Sequence, residues 1–206
     1  MKRLIFDLRD NTGGYFDQAL LLANEFLQRG DEIVYMEGLH RPRQDFDADG
    51  RGMLKDVKIS VLIDEGSASS SEIFAGAIQD NDRGVIVGRR SFGKGLVQRP
   101  IDLPDGSMIR LTVAHYYTPA GRCIQKPYTK GDKKSYDKDM LDRLNKGELM
   151  SADSIHFADS LKRKTLRLGR TVYGGGGIMP DVFVPLDTMQ YTKLHREMSA
   201  KSCIIN

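Results

Sequence analysis

The chain of 206 residues is long enough for one well-packed domain, and its 40% hydrophobic and 29% charged residues exclude a disordered polymer. A net charge of +3 is too small to argue for a nucleic-acid partner; of the basic stretches Lys130–Lys138 and Lys162–Arg170, the first reads as a solvated loop. Cys123 and Cys203 form no C-x-x-C pair, so neither a zinc knuckle nor a thioredoxin-like site is supported, and no run of roughly 18 apolar residues is present.

Taken in chain order, Leu4–Leu8 is a short apolar run suited to a buried strand, and Asn11-Thr12-Gly13-Gly14 turns the chain. Phe16, Ala19, Leu20, Ala23, Phe26 and Leu27 recur at helical spacing, with Gly30 as the stop. Ile33–Tyr35 and Lys58–Ile63 are the next strands, separated by a polar surface loop. A second helix starts at about Ser69, with Ile73, Phe74, Ala77 and Ile78 on one face, and Gly84–Val87 is a fourth strand. Strands alternating with helices predict a largely parallel α/β layer. The second half is β-rich: Leu96–Leu103 and Ser107–His115 flank Pro104-Asp105-Gly106, a hairpin signal. Short strands are expected around Pro119-Ala120-Gly121 and over Leu166–Val172, with helices near Asp137–Lys146 and over Asp187–Ala200. A core strand so close to the first residue, with no signal peptide before it, leads us to expect a fragment whose N-terminal part lies outside this sequence.

Three segments bear chemistry. Gly66-Ser67-Ala68-Ser69-Ser70-Ser71-Glu72 follows a strand and opens a helix, where backbone N–H groups stabilise negative charge. A nucleophile there would form its oxyanion beside those donors; by itself, Ser69-x-x-Glu72 is equally a capping box. Ser91-Phe92-Gly93-Lys94-Gly95 carries a lysine on backbone that glycine lets approach closely. A desolvated lysine serves as a base, although a turn lysine explains the segment locally. Asp7-Leu8-Arg9-Asp10-Asn11-Thr12-Gly13-Gly14 ends a strand in paired glycines whose N–H groups could face an oxyanion, or simply turn the chain.

Order, spacing and context of DLRDNTGG (7–14), GSASSSE (66–72), FGKGLVQ (92–98) and GGIMPDV (176–182) together resemble the carboxy-terminal processing, or tail-specific, peptidases over nearly the whole chain. The departures are Asp10 for Asn, Thr12 for Pro and Ser70 for Ala. The resemblance implies an α/β fold of the crotonase/ClpP-like type, a parallel β-α core with an added β-rich segment. It implies a protease core over 1–206, with 96–186 as its β-rich second half and with the family's N-terminal region and PDZ-like module absent. It further implies a serine endopeptidase in which Ser69 is the nucleophile, Lys94 the general base and Gln98 the residue orienting the lysine. The oxyanion hole would use Ser70 N–H and one N–H from Gly13 or Gly14. Asp80, at a position sometimes implicated in the family, is read as structural. No metal or cofactor is implied. Partners would be polypeptide substrates held through their C-terminal segments, with no nucleic acid; a homo-oligomer is allowed. The location would be the bacterial periplasm or cell envelope. The competing expectation is a homologue that binds peptide tails without cleaving them, or a fragment inactive without its PDZ module.

Other patterns are weaker. Gly88-x-x-x-x-Gly93-Lys94 has P-loop spacing, but Gly95 replaces the Mg²⁺-holding Ser/Thr and a strand follows. Asp45, Asp47, Asp49, Gly50 and Asp56 mimic a calcium loop with the wrong flanks and last ligand. Ser135-x-x-Lys138 matches a β-lactamase signature in a stretch without apolar periodicity. His40, His115, His156 and His195 lack metal spacing.

Overall fold

The computed structural model describes residues 1–187, so the helix expected over Asp187–Ala200 lies, from residue 188 on, outside the described residues. The first sheet is four-stranded and wholly parallel. It runs in the order β1 (Arg3–Asp7), β4 (Lys58–Ile63), β5 (Gly84–Gly88), β10 (Val182–Phe183), with Phe6 opposite Val61 and Val61 opposite Ile86. Helices α1 (Phe16–Asn24) and α2 (Ser70–Asp80) pack on one face of it. Phe74 of α2 meets Phe6 at 5.1 Å and Phe26 at 5.7 Å between ring centroids. Residues 71 to 80 of α2 are all buried, which is why its sequence is apolar nearly all round and its polar members, Glu72, Gln79 and Asp80, need partners.

The second sheet is antiparallel, in the order β3 (Arg41–Asp47), β2 (Glu32–Gly38), β7 (Met108–Tyr117), β6 (Leu96–Asp102). The hairpin expected around Pro104-Asp105-Gly106 is β6–β7, with a bulge between Val97 and Gln98. This sheet is not confined to the second half of the chain, since β2 and β3 come from the first. Ile33–Tyr35 is a strand as expected, but of this sheet and not of the parallel layer. The polar loop expected after it is in part a strand: β3 carries Asp45 and Asp47 on a ladder with β2. Its only large apolar residue, Phe46, leaves no period-two pattern to read. Helix α1 stops at Asn24, not near Gly30. Phe26 and Leu27 remain buried on a turn whose N–H groups both donate to the Ala23 carbonyl.

Beyond the hairpin, α3 (Lys133–Asn145) forms slightly earlier than its pattern suggested. The single strand expected over Leu166–Val172 is instead a small ribbon of β8 (Lys162–Lys164) and β9 (Thr171–Tyr173). Leu166 N–H donates to the Asp80 carbonyl (2.8 Å), and the turn after it docks on Asp82 at the C-terminal end of α2. Around Pro119-Ala120-Gly121 there is a tight turn with one bridge, Tyr117–Cys123. Among the described residues no helix is long and apolar enough to cross a membrane.

Candidate functional site

The two loops at the C-terminal ends of β1 and β4 are built into each other. Asp64, buried just past β4, accepts N–H groups from Asp10 (2.9 Å), Gly66 (3.0 Å) and Ser67 (3.2 Å). The Ser67 hydroxyl donates to the Leu8 carbonyl (2.7 Å), and the Ser71 hydroxyl donates to Asn11 Oδ1 (2.9 Å). Two serines of the run are thus spent on holding loops. Gly13 is required here twice over. Its φ is +93°, and a Cβ would lie 2.6 Å from the Ala68 carbonyl oxygen and 2.8 Å from Ser69 Cβ.

Ser69 caps α2 with φ +58° and ψ −119°, a backbone state that costs a non-glycine residue about 1–3 kcal/mol. Such strain at the N-terminus of a buried helix projects the side chain out of the turn. Its N–H donates to Glu72 Oε2 (2.8 Å), one half of a capping box. The other half is loose: the Ser69 hydroxyl faces the Glu72 N–H, which donates to the Ser69 carbonyl (2.9 Å).

Glu72 does far more than cap. Fully buried, its Oε1 accepts from the Ser91 hydroxyl (2.6 Å) and Gly93 N–H (2.7 Å), and its Oε2 accepts from Lys94 N–H (2.8 Å) as well as Ser69 N–H. Burial pushes its pKa above the ordinary carboxylate value, and these four donors, Ser91 foremost, oppose the shift. One carboxylate therefore joins the Ser69 turn to the Lys94 loop. That loop is clamped from its other side too. Gly95 N–H donates to Gln125 Oε1 (3.0 Å), and Gly95 has room for no Cβ, which would sit 2.6 Å from Gln125 N.

The result is a cleft of about 510 Å³ whose wall includes Ser69, Ser70, Lys94, Gln98, Gly14 and Arg110. Of the residues singled out in the sequence, Ser69, Ser70, Lys94, Gln98 and Gly14 line this cleft; Gly13 borders a separate hollow over α1 and α2. No hydrogen bond joins the Ser69 hydroxyl, the Lys94 amine and the Gln98 amide in this cleft. Gly14 N–H donates to Ser70 Oγ (2.6 Å) and Gly13 N–H to Asn11 Oδ1 (2.9 Å).

Asp80 sits at the far end of α2, about 16 Å from Ser69 along the helix. It pairs there with buried Arg122 and accepts Ala120 N–H (2.9 Å). Among the described residues no cluster of three or more His, Cys, Asp or Glu could hold a metal. Sequence reasoning missed Glu72 as a joint, along with Asp64, Asn11 and Gln125. The S-x-x-E spacing pointed to Glu72, but its partners lie some twenty residues away on another loop.

The strain at Ser69 is testable without any assay of function. Ser69→Gly should unfold about 1 kcal/mol later than Ser69→Ala, because only glycine relaxes at that φ and ψ. Equal or lower stability for Ser69→Gly in denaturant melts would show that the turn is unstrained.

Comparisons with known proteins place the chain in a family. Residues 1–135 match the family described as peptidase family S41. The chain is 43% identical over 123 residues to the chloroplastic C-terminal processing peptidase of Tetradesmus obliquus, covering 60% of this chain and 26% of that protein. It is 32% identical over 176 residues to a CtpA-like serine protease of Staphylococcus saprophyticus, covering 84% of this chain and 35% of that one. Its fold superposes on the photosystem II D1 C-terminal processing protease with a TM-score of 0.62 at 30% identity, over 90% of this chain and 35% of the other. The chain thus spans roughly a third or less of the length of these relatives. Residues 1–135 are more than half of this chain, and on that match the chain belongs to peptidase family S41.

Proposed function

We propose that this chain is the hydrolytic core of a serine endopeptidase that cleaves polypeptides near their C-termini, with Ser69 as nucleophile and Lys94 as general base. The observation that carries this reading is the joint placement of a strained helix-capping serine and a glycine-flanked lysine in one cleft, through a shared buried carboxylate. That its relatives include C-terminal processing proteases supports the preference for C-termini.

In the proposed reaction the neutral Lys94 amine takes the Ser69 proton as Oγ attacks the scissile carbonyl carbon. The C–N bond then breaks, and Lys94 passes the proton to the leaving amine. Water hydrolyses the resulting ester, with Lys94 taking a proton from it and returning one to Ser69. Gln98, on β6 in the same cleft wall, would orient the amine. The oxyanion would be met at the N-terminus of α2 by Ser70 N–H, which makes no other hydrogen bond among the described residues, and by a glycine N–H. Gly14 suits this better than Gly13, since it lines the cleft and its N–H is held only by the Ser70 hydroxyl, a freely turning group. Substrates would enter as extended tails, and the place of action would be the bacterial periplasm or cell envelope, as the resemblance to tail-specific peptidases implies.

A second reading, a chain that binds tails without turning them over, is favoured by one feature: the Ser69 hydroxyl and the Lys94 amine are not bonded, and both glycine N–H groups are engaged internally. Labelling separates the two. A fluorophosphonate should attach to Ser69, and the attachment should depend on the Lys94 amine. Lys94→Ala should abolish the labelling. Undiminished labelling of Lys94→Ala would remove Lys94 as the base.

Ser70 also gives a prediction of opposite sign. Its hydroxyl occupies the Gly14 N–H, and the tail-specific family has alanine at this position. Ser70→Ala should raise the acylation rate about fivefold by removing a competitor worth about 1 kcal/mol. An unchanged or lower rate would mean that the Gly14 N–H is not an oxyanion donor.

A further inference from the structure

Arg110 stands on β7 directly opposite Pro100 of β6, and both side chains line the cleft that holds Ser69 and Lys94. Its guanidinium makes no hydrogen bond and no ion pair among the described residues. The cleft wall contains no aspartate or glutamate; its formal charges are Lys94 and Arg110 alone. The remaining wall is largely apolar or aromatic, including Phe16, Ile73, Leu96 and Met108.

An exposed arginine on a hairpin is often only a solubilising group. Three features oppose that here. Arg110 points to the cleft face, whereas Ile101, Ile109 and Leu111, exposed on the same hairpin, fall on the other face of the ladder. A concave wall with cations and no carboxylate concentrates anions. The guanidinium fork, free of internal partners, matches a carboxylate with two parallel hydrogen bonds.

We propose that Arg110 determines specificity by taking a carboxylate of the bound polypeptide. This rests on the hydrolytic reading of the cleft and gives its substrate a chemical class. The position follows from strand geometry. β6 is the edge strand of its sheet, so an extended peptide has a free edge along which to run. Leu96 to Pro100 is about 13 Å of strand, so Arg110 meets the substrate within about four residues of the bond at Ser69. Two sources offer that carboxylate: the α-carboxylate of a chain end, or an Asp or Glu side chain.

The test is equilibrium binding of fluorescent octapeptides to the Ser69→Ala chain. One pair differs only in a free-acid or amidated C-terminus, the other only in Glu or Gln four residues before an amidated end. One member of one pair should bind about tenfold tighter than its uncharged twin, the size of a charged hydrogen bond, and the pair that does so identifies the source. In Ser69→Ala/Arg110→Gln the preference should collapse to a ratio near one. In Ser69→Ala/Arg110→Glu it should reverse toward a peptide with Lys in place of Glu, a gain that a misfolded variant could not show. Equal affinities within both pairs, a preference that survives Arg110→Gln, or no binding by any peptide overturns the assignment. Because the nucleophile is absent from these proteins, a failure of the hydrolytic reading appears in the labelling experiment and not in this one.

Discussion

The Glu72 carboxylate is the interaction on which the site depends. Taking an ionised carboxylate out of water is costly, and the cost is tolerable only where each oxygen finds donors. Glu72 finds four, and they belong to the two segments that must be placed together: Ser69 N–H from the helix turn, and Ser91 hydroxyl, Gly93 N–H and Lys94 N–H from the loop between β5 and β6. Its side chain therefore fixes the backbone of the serine and of the lysine against a single pair of atoms. Neither the Ser69 hydroxyl nor the Lys94 amine is itself held by a hydrogen bond to the other, while the backbone from which each springs is fixed.

Around that joint the fold uses rigid parts. Helix α2 is buried along its whole length under the β1 and β4 side chains, so its N-terminus cannot drift. Asp64 and Asn11 lock the glycine turn onto the same N-terminus. The left-handed backbone at Ser69 persists because the packed surroundings over-determine it. The second sheet then brings the β6–β7 hairpin over the opening, adding Gln98 and Arg110 to the wall. The cleft wall thus draws on both layers, with Ser69 at the end of a helix packed on the parallel sheet and Gln98 and Arg110 on the antiparallel one.

Much of this was legible in the sequence, for physical reasons that differ by residue. Ile59, Val61, Ile63 and Ile86 announce the buried strands because parallel strands are apolar in long runs. That Ser69 and Lys94 share one cleft was legible only jointly: each has an ordinary local explanation, and the order and spacing of several short motifs set them together. β3 was not legible, since an edge strand with charged outward residues and a single Phe46 presents no alternation. The sheet to which β2 belongs was hidden as well, because its apolar run suits either layer. Glu72 was half legible. The capping spacing named the residue, but three of its four partners are set by tertiary packing that no local pattern encodes. Arg110 was invisible for the same reason, as its meaning lies in what is absent around it.

The central claim is that one buried carboxylate makes a pair of Ser69 and Lys94. Turnover of a peptide substrate by Glu72→Gln tests it most directly, with circular dichroism and a thermal melt on the same sample. The amide keeps the volume but presents an NH₂ to two of the four donors. The account predicts a folded, less stable protein whose kcat falls at least about 10²-fold, the usual cost of misplacing reacting groups by an ångström. A folded Glu72→Gln protein with wild-type kcat would contradict it.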